Sequence, residues 1–213
     1  MIKGVLFDMD GVLVDTEEYI CRAAMMMFRE KGIVANESDF KPFTGMGENR
    51  YIGGVAEKYG VPYSDEMKAR TYEIYAQLVK GKLSPLTGAK EFIARCMEKG
   101  LKLAVASSAD SVKVEVNLRE SGIGKKVFGT IVNGLDVKNK KPAPDIYLKA
   151  AEELGLDPAG CLVVEDAVSG VKAGKAAGCR CLAVTTSFSA AELHEADWVF
   201  SSLKDVPDEV INW

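Results

Sequence analysis

Val5-Leu6-Phe7-Asp8-Met9-Asp10-Gly11-Val12, near the amino terminus, decides the fold. It sets a short, continuous apolar run directly against two acids and a glycine. Continuous rather than alternating hydrophobicity marks a strand buried on both faces, as in a parallel sheet between helix layers. Runs of the same kind recur at residues 101–106, 130–133, 162–164 and 182–184, with Trp198-Val199-Phe200 expected as a last, edge strand. Helical patterns separate them. One covers Ala89–Glu98 and stops at Gly100. Another starts at Pro144-Asp145, where proline suits the first turn and the acid complements the dipole, and stops at Gly155. A short late helix is expected to open with the capping box Ser189-x-x-Glu192. The resulting class is α/β, a doubly wound, Rossmann-like parallel sheet.

One stretch breaks the alternation. Residues 15–100 offer no strand, whereas 16–31, 48–59 and 64–80 read as helices. A crossover between parallel strands needs only one helix, so the rest are expected to form an inserted helical cap. The expected division is a catalytic core of residues 1–14 and 83–213 and a cap of residues 15–82, with Leu83-Ser84-Pro85-Leu86 as the return hinge. Ligands of open α/β sheets bind at the carboxyl ends of the strands, so an insertion after the first strand covers the site as a lid would.

Composition limits the chemistry. The 213 residues carry 27 Lys+Arg against 31 Asp+Glu, a net charge of −4, with 47% hydrophobic and 27% charged residues. This is the balance of a globular protein, and it argues against a general nucleic-acid binder. A single histidine, His194, argues against Ser-His-Asp chemistry and against a histidine-rich metal site. It is expected at the surface of the late helix. The five cysteines, Cys21, Cys96, Cys161, Cys179 and Cys181, are odd in number and form no C-x-x-C pair, so no disulfide framework is expected. Cys181 is expected to open a buried strand, and Met25-Met26-Met27 to pack in the core or between domains. No signal peptide or membrane-spanning run is read, so a cytoplasmic monomer with no membrane partner is expected.

The chemistry gathers at strand ends. Asp8 and Asp10 end the first strand, and Glu165-Asp166 end the fourth. Carboxylates this close repel, and their convergence suits a hard cation, Mg²⁺ above all. The second strand ends in Ser107-Ser108, with hydroxyl and backbone donors near a helix start, a natural anion site. Lys141, between Lys140 and Pro142-Ala143-Pro144, is expected to have a fixed aim because the prolines restrict its backbone; Lys138 and Lys140 are expected in solvent. Acids, hydroxyl and lysine at four strand ends make a phosphoryl-transfer site.

Asp8-Met9-Asp10-Gly11-Val12, Ser107, Lys141 and Val164-Glu165-Asp166 resemble, in order and spacing, the four motifs of the haloacid dehalogenase superfamily. Asp15-Thr16-Glu17, the Lys141-Pro142-Ala143-Pro144-Asp145 segment and Glu165-Asp166-Ala167-Val168-Ser169-Gly170 are similar to its β-phosphoglucomutase-like phosphatase branch. The resemblance implies that Asp8 is the nucleophile, Asp10 the general acid/base, and Ser107 and Lys141 the phosphate and charge partners. It implies Mg²⁺ held by Asp8, the Asp10 carbonyl and Asp166, with Glu165 in support.

Within that branch Asp10 disfavours dehalogenases and a phosphonate hydrolase. A signalling receiver, which also gathers acids, a hydroxyl and a lysine, has no helical insertion after its first strand. A phosphomutase of the β-phosphoglucomutase type is the closer alternative. Its cap histidine falls on Ile20 and its phosphate-gripping arginine near Glu48, with Arg50 two residues on. Ala109-Asp110-Ser111 stands where the mutase places sugar contacts. A phosphatase acting on a small phosphorylated metabolite, such as a sugar phosphate, is therefore expected. Thr16, Gly45, Gly47, Glu48, Arg50, Ser108 and Ala109 are the expected substrate contacts, with Gly45 and Gly47 allowing a close backbone approach.

Overall fold

The computed structural model describes residues 1–212. The strands β1 (Gly4–Phe7), β2 (Lys102–Ala106), β3 (Thr130–Val132), β4 (Cys161–Glu165), β5 (Arg180–Val184) and β6 (Trp198–Phe200) form one sheet ordered β3-β2-β1-β4-β5-β6. Every neighbouring pair is parallel. The helices are α1 (Glu17–Glu30), α2 (Glu37–Phe40), α3 (Glu48–Lys58), α4 (Asp65–Val79), α5 (Ala89–Glu98), α6 (Ser111–Ser121), α7 (Asp145–Glu153), α8 (Val168–Ala176) and α9 (Asp208–Ile211).

All of β1 is buried, and its side chains serve two layers. Val5 and Phe7 join one apolar cluster with Phe92 of α5, while Leu6 joins another with Tyr147 of α7 and Val171 of α8. Phe7 meets Phe92 and Phe128 edge-on, with ring centroids 6.0 and 6.3 Å apart. Each such ring withdrawn from water contributes roughly 2–3 kcal/mol. The same register places the site. Phe7 lies beside Val105 of β2 and Val164 of β4, and the Asp8 N–H donates to the Val164 carbonyl at 2.9 Å. Asp8, Ser107 and Asp166 therefore emerge together where the strand order switches direction, the ligand-binding position of open α/β sheets.

The helices α1 to α4 and a 3₁₀ turn at Lys41–Phe43 fill the stretch between β1 and α5. The outgoing and returning chains run side by side: Val14 bridges Pro85, and the Leu86 N–H donates to the Leu13 carbonyl at 2.9 Å. Phe28, Phe40 and Tyr51 stack within the helices, and their apolar cluster is continuous with the Phe7 face of the sheet.

The short α2 has no counterpart in the sequence reading. Asp39 fixes it, accepting from Lys58 Nζ at 2.5 Å, Tyr59 Oη at 2.7 Å and the Asn36 N–H at 2.8 Å. The Lys58 bond, the Asn36 N–H and the Tyr59 hydroxyl hold this carboxyl down from its ordinary 3.8 to about 2. A depressed folded-state pKa means stability present above the unfolded value and lost as pH falls through the folded one. Asp39→Asn is accordingly expected to lower the melting temperature at neutral pH, with the difference from wild type closing between pH 4 and pH 2 as thermal unfolding is followed across that range.

Two further expectations change. Residues 189–196 form successive turns, not a helix. Half of the box is present: Glu192 Oε2 accepts from the Ser189 N–H at 3.0 Å, but Ser189 Oγ donates to the same Oε2 at 2.6 Å instead of accepting from the Glu192 N–H, which goes to the Ser189 carbonyl. Only Leu193 of the segment is buried, so no apolar face supports a helix, and His194 is exposed on a turn. Lys140 is half-buried rather than solvated: its Nζ lies 3.2 Å from the Ser108 carbonyl. All five cysteines are buried and free. Burial pushes the Cys96 and Cys179 thiols up to about 12, which leaves them unreactive. Met27 is in the core and Met26 faces out. Among the described residues, no helix is long and apolar enough to cross a membrane.

Candidate active site

The end of β1 delivers Asp8 into the interior, 6% exposed. Its Oδ1 lies 2.5 Å from Lys141 Nζ, which also donates to Glu165 Oε1 at 2.6 Å and to the Ala106 carbonyl at 3.1 Å. The Lys141 ammonium sits 4.9 Å from the centroid of the Tyr147 ring, whose hydroxyl donates to Glu165 Oε1 at 2.6 Å. Glu165 Oε2 accepts from the N–H groups of Asp166 and Ala167 at 3.0 and 3.2 Å, and Asp166 Oδ2 accepts from Ser187 Oγ. Two glycines make the packing possible. At Gly11, φ is +77° and a Cβ would overlap Asp166 Oδ2; at Gly170 a Cβ would overlap the Glu165 carboxyl.

The electrostatics are unbalanced. Burial, with the Glu165 and Asp10 carboxylates beside it, pushes Asp8 up to about 7 against the pull of Lys141. Burial, with the Glu165 and Asp8 carboxylates beside it, also pushes Asp166 up. Burial works against the Lys141 ammonium, yet Asp8 and Glu165 raise its pKa above the ordinary value. Asp8, Glu165 and Asp166 each offer a carboxylate oxygen within 4.8 Å of the others, and all three are buried. Three buried carboxylates against one ammonium leave a deficit of positive charge, and an all-oxygen donor set suits a hard divalent cation. Mg²⁺ fits these residues. The Asp10 carboxylate is not part of that cluster.

Asp10 points elsewhere. Its Oδ1 accepts from Thr16 Oγ1 and, at 3.1 Å, from Asn117 Nδ2; its Oδ2 lies 2.8 Å from Lys113 Nζ. Lys113 is also 3.1 Å from Glu48 Oε1. Ser107 Oγ accepts from the Ala109 N–H at 3.2 Å, and among the described residues the buried Ser108 Oγ has no hydrogen-bond partner.

One cavity collects most of the expected residues. Asp8, Asp10, Ser107, Ser108, Ala109, Lys141, Glu165 and Asp166 line it from the strand ends, and Gly45, Gly47 and Glu48 from the helical side. Thr16 is not part of its wall: it is buried, its hydroxyl spent on Asp10. Arg50 does not reach it: the exposed guanidinium lies 5.0 Å from the Phe43 ring centroid and 3.4 Å from Glu57 Oε2. Successive helical residues turn by about 100°, so Glu48 and Arg50, two apart in the first turn of α3, face opposite ways. The wall also contains residues the sequence reading missed, notably Lys113, Glu17 and Tyr51. Glu17 Oε1 accepts from Thr44 Oγ1 at 3.2 Å and Tyr51 Oη at 3.0 Å. The available signal for Lys113 is its i, i+4 spacing with Asn117 on the helix after β2.

The sequence model of the haloacid dehalogenase-like hydrolases matches residues 5–184. The chain belongs to that family. It is 45% identical over 199 residues to the protein SUPPRESSOR OF QUENCHING 1, chloroplastic, of Arabidopsis thaliana, covering 92% of this chain but only 19% of the length of that relative. It is 34% identical over 187 residues to the phosphorylated carbohydrates phosphatase of Thermotoga maritima, covering 83% of this chain and 82% of that one. Among solved structures, CbbY from Rhodobacter sphaeroides in complex with phosphate superposes with a TM-score of 0.87 at 27% identity, covering 96% of each chain.

Proposed function

We propose that this haloacid dehalogenase-like hydrolase is a Mg²⁺-dependent phosphatase that cleaves a small phosphorylated metabolite, of the sugar-phosphate kind, through an aspartyl-phosphate on Asp8. The supporting observation is the Asp8 carboxylate, buried at the central strand end beside Lys141, opening into a cavity that also holds Ser107 and Ser108. The phosphatase named among the relatives and the phosphate bound by CbbY point the same way.

Lys141 engages Oδ1 of Asp8, so the attack on phosphorus falls to Oδ2. That oxygen forms the new P–O bond as the bond to the leaving alcohol breaks, and Asp10 gives the alcohol its proton. Water then attacks the phosphorus, Asp10 takes its proton, and the acyl P–O bond breaks to free phosphate and restore Asp8. Ser107 and the unpartnered Ser108 hydroxyl would hold the phosphoryl oxygens, and Lys141 would offset their charge. Asp8, Asp166 and the Asp10 carbonyl would hold Mg²⁺, with Glu165 in support, and the bound ion would screen the repulsion between phosphate and carboxylates.

The helical side of the cavity supports a phosphatase over a mutase. Glu17, Ile20 and Glu48 line it, and the Lys113 ammonium there is already engaged by Asp10 and Glu48. A mutase must grip a second phosphate from this side, and two carboxylates oppose that grip. With β-glucose 1-phosphate, Mg²⁺ and a trace of the 1,6-bisphosphate, the chain is expected to release inorganic phosphate. Robust formation of glucose 6-phosphate without phosphate release would overturn the preference for hydrolysis.

A further inference from the structure

Lys113 is a buried lysine that the steps above do not use. It sits in the first turn of α6, 4% exposed. Burial opposes its charge, yet the carboxylates of Asp10 and Glu48 hold its pKa well above the ordinary lysine value. Its two carboxylate partners come from opposite sides of the cavity: Asp10 follows β1, and Glu48, itself 5% exposed, opens α3. One turn further along α6, Asn117 is fully buried. Tyr75 of α4 donates to Asn117 Oδ1 at 2.5 Å, which turns the amide so that Nδ2 faces Asp10. Both Asp10 oxygens are thereby held, Oδ2 by Lys113 and Oδ1 by Asn117 and Thr16.

We propose that Lys113 is a positioning residue that aims the Asp10 carboxylate, and that Glu48, by sharing the same ammonium, makes that aim depend on α3 being seated over the strand ends. The proposal rests on the assignment of Asp10 as proton carrier. A buried Asp–Lys–Glu cluster is a poor stability device, because desolvating three charges consumes most of their attraction. What it supplies is direction: one donor fixes one oxygen, and proton transfer is sensitive to displacements well under the length of a hydrogen bond. The seating is also physical contact, since a Cβ on Gly47, next to Glu48, would come within 3.3 Å of the Ser108 carbonyl. With α3 displaced, Lys113 would lose Glu48, and the proton carrier would lose its fixed bearing while the nucleophile, held by Lys141, kept its own.

The test is a double-mutant cycle on p-nitrophenyl phosphate turnover with saturating Mg²⁺. Lys113→Met is expected to lower kcat by about 100-fold, near the lower end of what acid–base catalysis contributes, with KM changed by less than about threefold. Lys113→Arg is expected to recover part of the loss. In an Asp10→Asn background, Lys113→Met is expected to change kcat by less than about twofold, because its partner no longer carries the proton. Wild-type turnover by Lys113→Met, or an undiminished loss in the Asp10→Asn background, overturns the proposal. If Lys113→Met does not fold, Glu48→Gln enters the same cycle, with an expected loss of about tenfold that vanishes beside Asp10→Asn. Independently of turnover, amide exchange over residues 44–51 is expected to quicken in Lys113→Met or Glu48→Gln while the β-strands stay protected; unchanged exchange there overturns the coupling to α3. Full activity of Asp10→Asn alone would instead overturn the proton-carrier assignment.

Discussion

Asp8→Asn is expected to lower p-nitrophenyl phosphate turnover on the order of 10⁴-fold or more while leaving the fold intact. The substitution changes almost nothing but chemistry. The asparagine amide oxygen can still accept from Lys141 where Asp8 Oδ1 now lies 2.5 Å from the ammonium, so the packing around it survives. What is lost is an anionic oxygen able to bond to phosphorus. Stability should move the other way. The Asp8 pKa is raised from 3.8 to about 7, so the folded state binds that proton more tightly than the unfolded one. A raised carboxyl pKa gives a contribution that is complete below the unfolded value and is lost as pH rises toward the folded one. In metal-free buffer the wild type should therefore lose stability between pH 4 and pH 7, and the asparagine variant should lose less. Unchanged turnover in a folded Asp8→Asn protein would remove Asp8 as nucleophile.

Lys141→Met should be the most destabilising single change at the site. Lys141 Nζ is bonded to Asp8, Glu165 and the Ala106 carbonyl, and its side chain is 3% exposed. Methionine matches the stem but leaves Asp8, Glu165 and Asp166 with no cation among them. Removing one partner from a buried ion cluster typically costs about 3–5 kcal/mol. For a chain of this size that corresponds to a fall of roughly 10 °C in melting temperature, against a total stability of about 5–15 kcal/mol. Turnover should fall by about 1000-fold or more, because both the aim of Asp8 and the offset of phosphoryl charge go together. Mg²⁺ is expected to return part of the lost stability, as a cation held by the same carboxylates in the folded state only would. A melting temperature within about 2 °C of wild type would show that the cluster does not need its lysine.

The sheet and the strand-end acids were legible because both are local. Val5-Leu6-Phe7 needs no partner to announce that it is buried, and an acid placed directly after such a run can only lie at the strand terminus. Glu165 and Asp166 follow the same rule. Lys141 was legible through the prolines that confine its backbone. Lys113 was not, because a lysine in an amphipathic helix ordinarily extends into water. Its burial is set by Asp10 and Glu48, brought to it from distant parts of the chain. Arg50 misled for a related reason. Its position in the sequence is beside the cavity, while the phase of α3 sends Glu48 inward and the guanidinium over Phe43. Thr16 is near the site in both readings, but its hydroxyl serves Asp10 rather than the cavity. The turn at residues 189–196 shows the converse: the Glu192 carboxylate reached back to the Ser189 N–H as the sequence suggests, and the helix did not form, since Leu193 is the one fully buried side chain of the segment.

The covalent step on Asp8 is open to direct observation. The protein is mixed with p-nitrophenyl phosphate and Mg²⁺, quenched in acid during turnover, reduced with borohydride to mark any acyl-phosphate, and mapped by peptide mass. The mark is expected at Asp8 and nowhere else, and it should be absent when Mg²⁺ is withheld. Full turnover with Asp8 unmarked, or with the mark on another carboxylate, would contradict the aspartyl-phosphate route.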